Sequence, residues 1–446
     1  MRAIAWLGRQ TLVAAISWFG VAVIPVPQAH AQDLSGPERR KMEDMLRGVR
    51  TQVESYYFDT TYAGLNLAAV YDSAAVRVRD ARALDAALAA IAWFTLELHD
   101  SHTYFNPPPR TVQAEYGWEM RMVGDSCFVF GVKPGSDAER QGVHRGDRIE
   151  SISGLAPTRD NLWQISYLFW VLSPRPSLRV VVRAPDGDRR VLDLASKVRE
   201  RGRILDVTGA DGGRDIGQLV REGERAAEES KDLTVEAGPD ILIWKMPTFE
   251  IPLDAIRDAL KRTRDRKTLV LDLRGNGGGY ERVMLELAGH LSHDDVVVGS
   301  TRARGRQSPL VAKGAGKNAF AGQLYVLVDS RSASASEILA RSVQLMGRGK
   351  VLGDRTAGAV MRARYHPLSL GMETATFYGV QVTEADLVMS DDGRLEGVGV
   401  TPDVVILPSA RDLAVGRDVV LAHALTLAGL PTDPDRAGSL YPKKNP

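Results

Sequence analysis

The sequence predicts an α/β protein: a mostly parallel sheet covered on both faces, an N-terminal helical region, and a β-rich domain inserted between the two. Three observations predict it. From about residue 241, short continuous apolar runs alternate with helical patterns, as expected of strands buried on both faces. Up to about Phe105 the apolar period is helical, and from about Tyr116 to Lys197 it becomes that of strands. The 446 residues are 44% hydrophobic and 25% charged, which suits a globular chain of two or three domains.

Charge excludes some partners. The formal net charge is +1, with 57 Lys and Arg against 56 Asp and Glu, so no electrostatic footprint for nucleic acid or a polybasic membrane contact is present. The single cysteine, Cys127, cannot form an intrachain disulfide. Its apolar run, Cys127-Phe128-Val129-Phe130, reads as a strand with a buried, inert thiol.

Taken in order, residues 1–31 read as a secretory signal peptide. Arg2 and Arg9 precede an apolar run from Leu12 to Val26, and Ala29-His30-Ala31 forms a small-x-small cleavage site before Gln32. A membrane anchor is disfavoured because the run is short for a bilayer and interrupted by Pro25 and Pro27. An exported protein, periplasmic or secreted in a bacterium, is expected, with no stable membrane span after cleavage. Residues 32–112 form the helical region. Its helix Ala83 to Leu98 is apolar on nearly every face and so is expected to be buried, and Pro107-Pro108-Pro109 ends the segment. Residues 113–197 form the β domain, with strands near Phe128 to Val132 and Leu178 to Arg183. Residues 198–238, rich in charge and Gly, read as a linker or peripheral hairpin. Residues 239–430 form the core. Strands at Ile241 to Met246, Thr268 to Leu273 and Leu324 to Asp329 alternate there with helices at Leu253 to Lys261, Glu281 to Leu291 and Ala335 to Met346. A last helix near Arg411 to Leu427 precedes a polar tail, residues 431–446.

Two segments of the core could carry chemistry. In Leu269-Val270-Leu271-Asp272-Leu273-Arg274-Gly275-Asn276-Gly277-Gly278-Gly279 a strand delivers the chain into glycines ahead of a helix. Glycine dihedrals can leave bare N–H groups facing outward, which suits a phosphate or an oxyanion. No Gly-Lys-Ser/Thr follows, so a nucleotide loop is disfavoured. In Val328-Asp329-Ser330-Arg331-Ser332-Ala333-Ser334-Ala335-Ser336-Glu337 a strand ends, small residues turn, and a helix starts. A serine there is exposed on a rigid support, with helix N-terminal N–H groups beside it. Helix capping by a serine with Glu337 is the plainer alternative, but it does not explain why small residues fill the whole turn.

Together these two segments resemble the tail-specific, C-terminal-processing protease family, which includes the tricorn protease core and the interphotoreceptor retinoid-binding protein. Gly353-Asp354-Arg355-Thr356-Ala357-Gly358 and Glu396-Gly397-Val398-Gly399-Val400-Thr401-Pro402-Asp403 match two further family motifs in order. Lys133-Pro134-Gly135-Ser136-Asp137-Ala138-Glu139-Arg140-Gln141-Gly142-Val143-His144-Arg145-Gly146-Asp147-Arg148-Ile149 resembles the PDZ domain, whose members accept an extended peptide on a sheet edge. The resemblance implies a crotonase-like core and Ser334 as nucleophile. Many members carry an activating lysine just after the Gly-x-x-Thr-x-Gly motif; here that position is Ala359, and a position that can be Asp in such members is Leu345.

Another base is at hand. His102, in Asp100-Ser101-His102-Thr103, resembles the Ser-His pair of the tricorn-like branch, where the histidine is general base and a distant glutamate, matched here by Glu396, reaches it through Ser101. The resemblance therefore implies acyl transfer to water. Ser334 attacks, His102 acts as base and then acid, Ser101 and Glu396 orient His102, and the N–H groups of Gly278 and Ala335 hold the oxyanion. His99 and His102 could suggest a metal pair, but no Cys or carboxylate cluster completes a site, so no metal or cofactor is implied. The expected partner is a protein or peptide with an accessible C-terminal segment. The rival is a catalytically inactive peptide-binding scaffold, motivated by Ala359; a crotonase-type enzyme acting on acyl thioesters is disfavoured because export removes that substrate pool. N-terminal sequencing of exported material should begin at Gln32, and exported material beginning at Met1 would overturn the signal-peptide reading.

Overall fold

The computed structural model describes residues 33–110, 112–200, 233–371 and 375–441. The segment read as a signal peptide, like most of the expected linker, lies outside the described residues. The central sheet runs in the order Val404–Val405, Lys350–Gly353, Gln323–Val328, Thr268–Asp272, Ile241–Lys245 and Leu233–Glu236. Its neighbours are parallel except the last pair, which is antiparallel. Strand Thr268–Asp272 is buried along its whole length because alternate side chains enter two different cores. Leu269 and Leu271 face a large core with Trp244, Val326, Met284 and Leu339, drawn from helices Leu253–Lys261, Glu281–His290 and Ala335–Leu345. Val270 faces a second core with Ile243, Leu327 and Leu352 under helix Val419–Leu427. All the parallel strands leave the sheet at one edge, where binding loops of such sheets gather.

A second sheet joins Tyr104–Asn106, Thr376–Met389, Val296–Ala303 and Arg306–Ala312, with Met361–Leu370 paired along Thr376–Met389. The N-terminal helices Gly36–Tyr56, Leu67–Asp80 and Leu84–Leu96 pack on it, Met45, Val49, Ile91 and Phe94 meeting Tyr378, Val380 and Val382. The inserted domain is a five-stranded antiparallel sheet in the order Trp118–Val123, Ser126–Val132, Arg148–Ile152, Ser177–Arg183 and Arg189–Ala195. Cys127 lies in its core, and burial pushes the thiol up to about 12.

This domain rests on the edge loops of the central sheet. The Arg159 guanidinium reaches Asp354 at 2.6 Å, the Gly124 N–H donates to the same carboxylate at 2.9 Å, and the Ser330 hydroxyl donates to the Met122 carbonyl at 2.6 Å. Gly146, at φ +88°, allows a closest approach: a Cβ there would lie 2.4 Å from the Ala410 carbonyl oxygen.

Several boundaries differ from the expected ones. Lys197–Glu200 pairs antiparallel with Val112–Glu115, closing a two-stranded stalk across both ends of the inserted domain. Leu233–Glu236 joins the central sheet, so the expected linker 198–238 is structured at its two ends. The helix expected at Arg411 to Leu427 is two, Ala410–Val415 and Val419–Leu427, broken where Gly416 adopts a left-handed conformation. Nor is the tail free: Leu440 and Tyr441 pack on the second core, and the Tyr441 hydroxyl donates to the buried Asp272 carboxylate at 2.7 Å. An aromatic ring with a hydroxyl for a buried acceptor outweighs the polar composition around it.

Candidate active site

In the turn from Asp329 to Ser334 the side chains of Ser332, Ala333 and Ser334 are small because this part lies against the glycine loop, while Arg331 is exposed. The Ser332 hydroxyl donates to the Leu273 carbonyl at 2.8 Å, the Ser336 hydroxyl to the Asn276 carbonyl at 2.9 Å, and the Ala333 N–H to that same carbonyl at 3.0 Å. Ser332 and Ser336 are fully buried, whereas Ser334 is part-exposed. Ser334 also adopts φ 53° and ψ −117°, a conformation that costs a side chain on the order of 1–3 kcal/mol and persists only when its surroundings impose it.

Glu337 imposes it. This fully buried carboxylate accepts the Ser334 N–H at 3.0 Å, the Thr356 hydroxyl at 2.6 Å, and the N–H groups of Gly358 and Ala359 at 2.7 and 2.9 Å. Burial pushes the carboxyl up to about 7, while those four donors pull it down. The Ser334 N–H is shared with the Ala359 carbonyl at 2.9 Å. Expected as a helix cap, Glu337 therefore also clamps the Ser334 turn to the strap Thr356 to Val360.

The glycine loop closes the other side. Gly278 sits at φ +102°, and a Cβ on it would stand 2.7 Å from the Ser334 Cβ. Asn276, fully buried, shapes this loop: its Nδ2 donates to the Met246 carbonyl at 2.9 Å and its Oδ1 accepts the Gly278 N–H at 2.8 Å. Of the two expected oxyanion donors, the Gly278 N–H is thus engaged, while the Ala335 N–H, in the first helical turn, has no partner among the described residues.

The histidine half lies across the strap. Ser101 Oγ is 2.6 Å from His102 Nδ1 and 3.0 Å from Glu396 Oε2, and the Ser101 N–H reaches Glu396 Oε1 at 2.8 Å. The Val360 N–H donates to Glu396 Oε2 at 2.7 Å. Neighbouring residues of one strap therefore hold both halves: the Ala359 carbonyl accepts the Ser334 N–H, and the Val360 N–H donates to Glu396. Burial lowers the His102 pKa, an effect that the Asp100 charge opposes. Burial raises Glu396, against the hydrogen bonds from Val360 and Ser101.

The sequence reading named Ser334, Ala335, Gly278, Ser101, His102 and Glu396, and the structure gathers them around this strap. It gave no role to Asn276, Thr356 or Asp100, whose work is to hold backbone. Asn276 stood between glycines in a motif already singled out, and that was its only signal. No cluster of three or more potential metal ligands occurs among the described residues.

Comparison with known proteins adds a family match over part of the chain. Residues 240–406 match the model of Peptidase family S41. The tail-specific protease of Haemophilus influenzae is 25% identical over 300 residues, covering 65% of this chain and 40% of that protein. Carboxyl-terminal-processing peptidase 2, chloroplastic, of Arabidopsis thaliana is 25% identical over 369 residues, covering 79% of this chain and 66% of that one. The chain thus spans 40% and 66% of the length of these two relatives. The solved structure of mature CPAF complexed with lactacystin matches 84% of this chain and 95% of its own at a TM-score of 0.62 and 12% identity, a likeness of fold. Gly278→Ala should leave a folded protein whose Ser334 reacts at least about tenfold more slowly with a fluorophosphonate, since the new methyl invades the serine's space. Unchanged labelling of the folded variant would contradict the close contact.

Proposed function

Given that residues 240–406 match the model of Peptidase family S41, we propose that the chain is an exported serine peptidase acting on protein or peptide substrates, with Ser334 as nucleophile and His102 as general base. The observation that carries this reading is the run of short contacts from Glu396 through Ser101 to His102. Ser101 has one hydroxyl proton. An ionised Glu396 is an acceptor only and takes that proton, so Ser101 Oγ must accept from His102 Nδ1–H. This leaves Nε2 with its lone pair, the form a base needs.

In the proposed reaction His102 Nε2 takes the Ser334 proton as Oγ attacks the scissile carbonyl. The proton passes to the leaving amine, and water then releases the acyl group by the same route. The free Ala335 N–H supports an oxyanion role; Gly278 would complete the hole once its N–H leaves Asn276. The strained Ser334 backbone and its tie to the strap supply positioning without a lysine. The five-stranded inserted domain suits a PDZ-like module that receives a substrate's C-terminal segment, and the two-sheet core suits a crotonase-like protease core. The scaffold reading keeps one observation in its favour, the methyl side chain at Ala359.

Fluorophosphonate labelling and peptide cleavage separate the two. The parent should label and cleave, Ser334→Ala should do neither, and His102→Ala should acylate about 10²–10⁴-fold more slowly while staying folded. A parent that neither labels nor cleaves establishes the scaffold reading, and a His102→Ala variant as fast as the parent overturns the base. The pH profile has a definite sign. Cleavage should fall as pH drops through about 7, where Glu337 takes a proton and the clamp loses an acceptor. It should fall again below 6.5, where His102 itself becomes protonated.

A further inference from the structure

The turn that presents His102 is closed by one carboxylate oxygen. Asp100 Oδ1 accepts the His102 N–H at 2.8 Å, the Thr103 N–H at 2.7 Å and the Thr383 hydroxyl at 2.7 Å. Thr383 lies in the long strand Thr376–Met389 and returns its own N–H to the Thr103 hydroxyl at 3.0 Å, so the turn is fixed to the second sheet. The backbone enters this turn through His99 at φ 52°. Turn-making needs only that single acceptor, which a neutral Asn or Ser would supply as well. Yet Asp100 buries its second oxygen, Oδ2, away from every donor of the turn, and the hydroxyl that bears on the carboxylate from outside it is that of Tyr57. Burying a second carboxylate oxygen is costly, and the turn gains nothing from it.

We propose that Asp100 is a second carboxylate of the site, a positioning residue that fixes the His102 backbone and lends its charge to the imidazolium formed when His102 takes the Ser334 proton. This rests on the reading of His102 as base. The charges bearing on this corner come from several elements. Glu396 reaches His102 through Ser101, and Glu337 is linked to the same strap from helix Ala335–Leu345. The Tyr57 phenol, following helix Gly36–Tyr56, lies against Asp100 with Asp59 beyond it, and burial together with these anions keeps it neutral. Of these groups, Asp100 is the one whose charge favours protonated His102 against burial.

The test is a histidine-ring NMR titration of the full chain, His102 being assigned from the signal lost in His102→Gln. Asp100→Asn keeps the acceptor oxygen and removes the charge, so the His102 midpoint should fall by about one pH unit, and kcat should fall about tenfold with KM unchanged. Asp100→Ser, which also keeps one acceptor oxygen, should show the same shift if Asn at this position perturbs the fold. The lower acid limb of kcat/KM should move to lower pH with the midpoint. An unchanged midpoint in both variants overturns the proposal and leaves the peptidase reading intact. A shifted midpoint in a chain whose parent neither labels nor cleaves overturns the peptidase reading instead, and with it the catalytic use of Asp100.

Discussion

Glu337 collects four donors on two oxygens inside the protein: Thr356 and Gly358 on one, Ser334 and Ala359 on the other. That fills the acceptor sites of an ionised carboxylate, and a proton placed on it would find nothing to bond. Burial pulls the other way, toward the neutral acid, and the balance stands near 7. The strained backbone of Ser334, the course of the strap and, through Val360, the placing of Glu396 all follow from this one clamp. A carboxylate that looks like an ordinary helix cap thus ties the two halves of the site to each other.

The two sheets explain why the clamp is needed. Ser334 and the glycine loop leave the central parallel sheet, while the turn carrying His102 is fastened to the second sheet through Thr383. Separate cores stand behind the two sheets, so neither alone fixes the distance between Ser334 and His102. The strap from Thr356 to Val360 bridges them by hydrogen bonds at both ends. The inserted domain leans on the same edge, through Asp354 at the strap's own approach and Ser330 within the Ser334 turn. Its attachment and the site therefore share a support.

Three adjacent strands of the central sheet, Ile241–Lys245, Thr268–Asp272 and Gln323–Val328, were legible because they are largely apolar, and Leu269, Val270 and Leu271 leave no other reading once helices flank them; the short edge strands, Leu233–Glu236 among them, were not. The second sheet was not. Met361–Leu370 mixes arginines, a proline and a histidine with apolar residues and has much of its length exposed, so its composition hides its pairing. Thr376–Met389 is largely buried on both faces in its second half, with Thr383, Glu384 and Asp386 among its residues there, and breaks register near Thr383, which blurs a period of two. In the site, residues that act through side chains could be named from motifs. Residues that hold backbone could not: Asn276 and Thr356 bond main-chain groups distant in sequence, at Met246 and Val400, and Asp100 bonds the N–H groups of His102 and Thr103, a local pattern shared with ordinary turns.

Everything proposed for His102 depends on where its ring carries a proton. With Glu396 ionised and Ser101 donating to it, the proton of the neutral imidazole belongs on Nδ1 and Nε2 is free to act as base. Nitrogen-15 NMR of the His102 ring, recorded above the titrations of His102 and Glu396, reads this directly. The result expected is a protonated Nδ1 and an unprotonated Nε2 in the parent, with the preference lost in Glu396→Gln. A neutral ring protonated on Nε2 in the parent would contradict the relay from Glu396 and remove His102 as the base for Ser334.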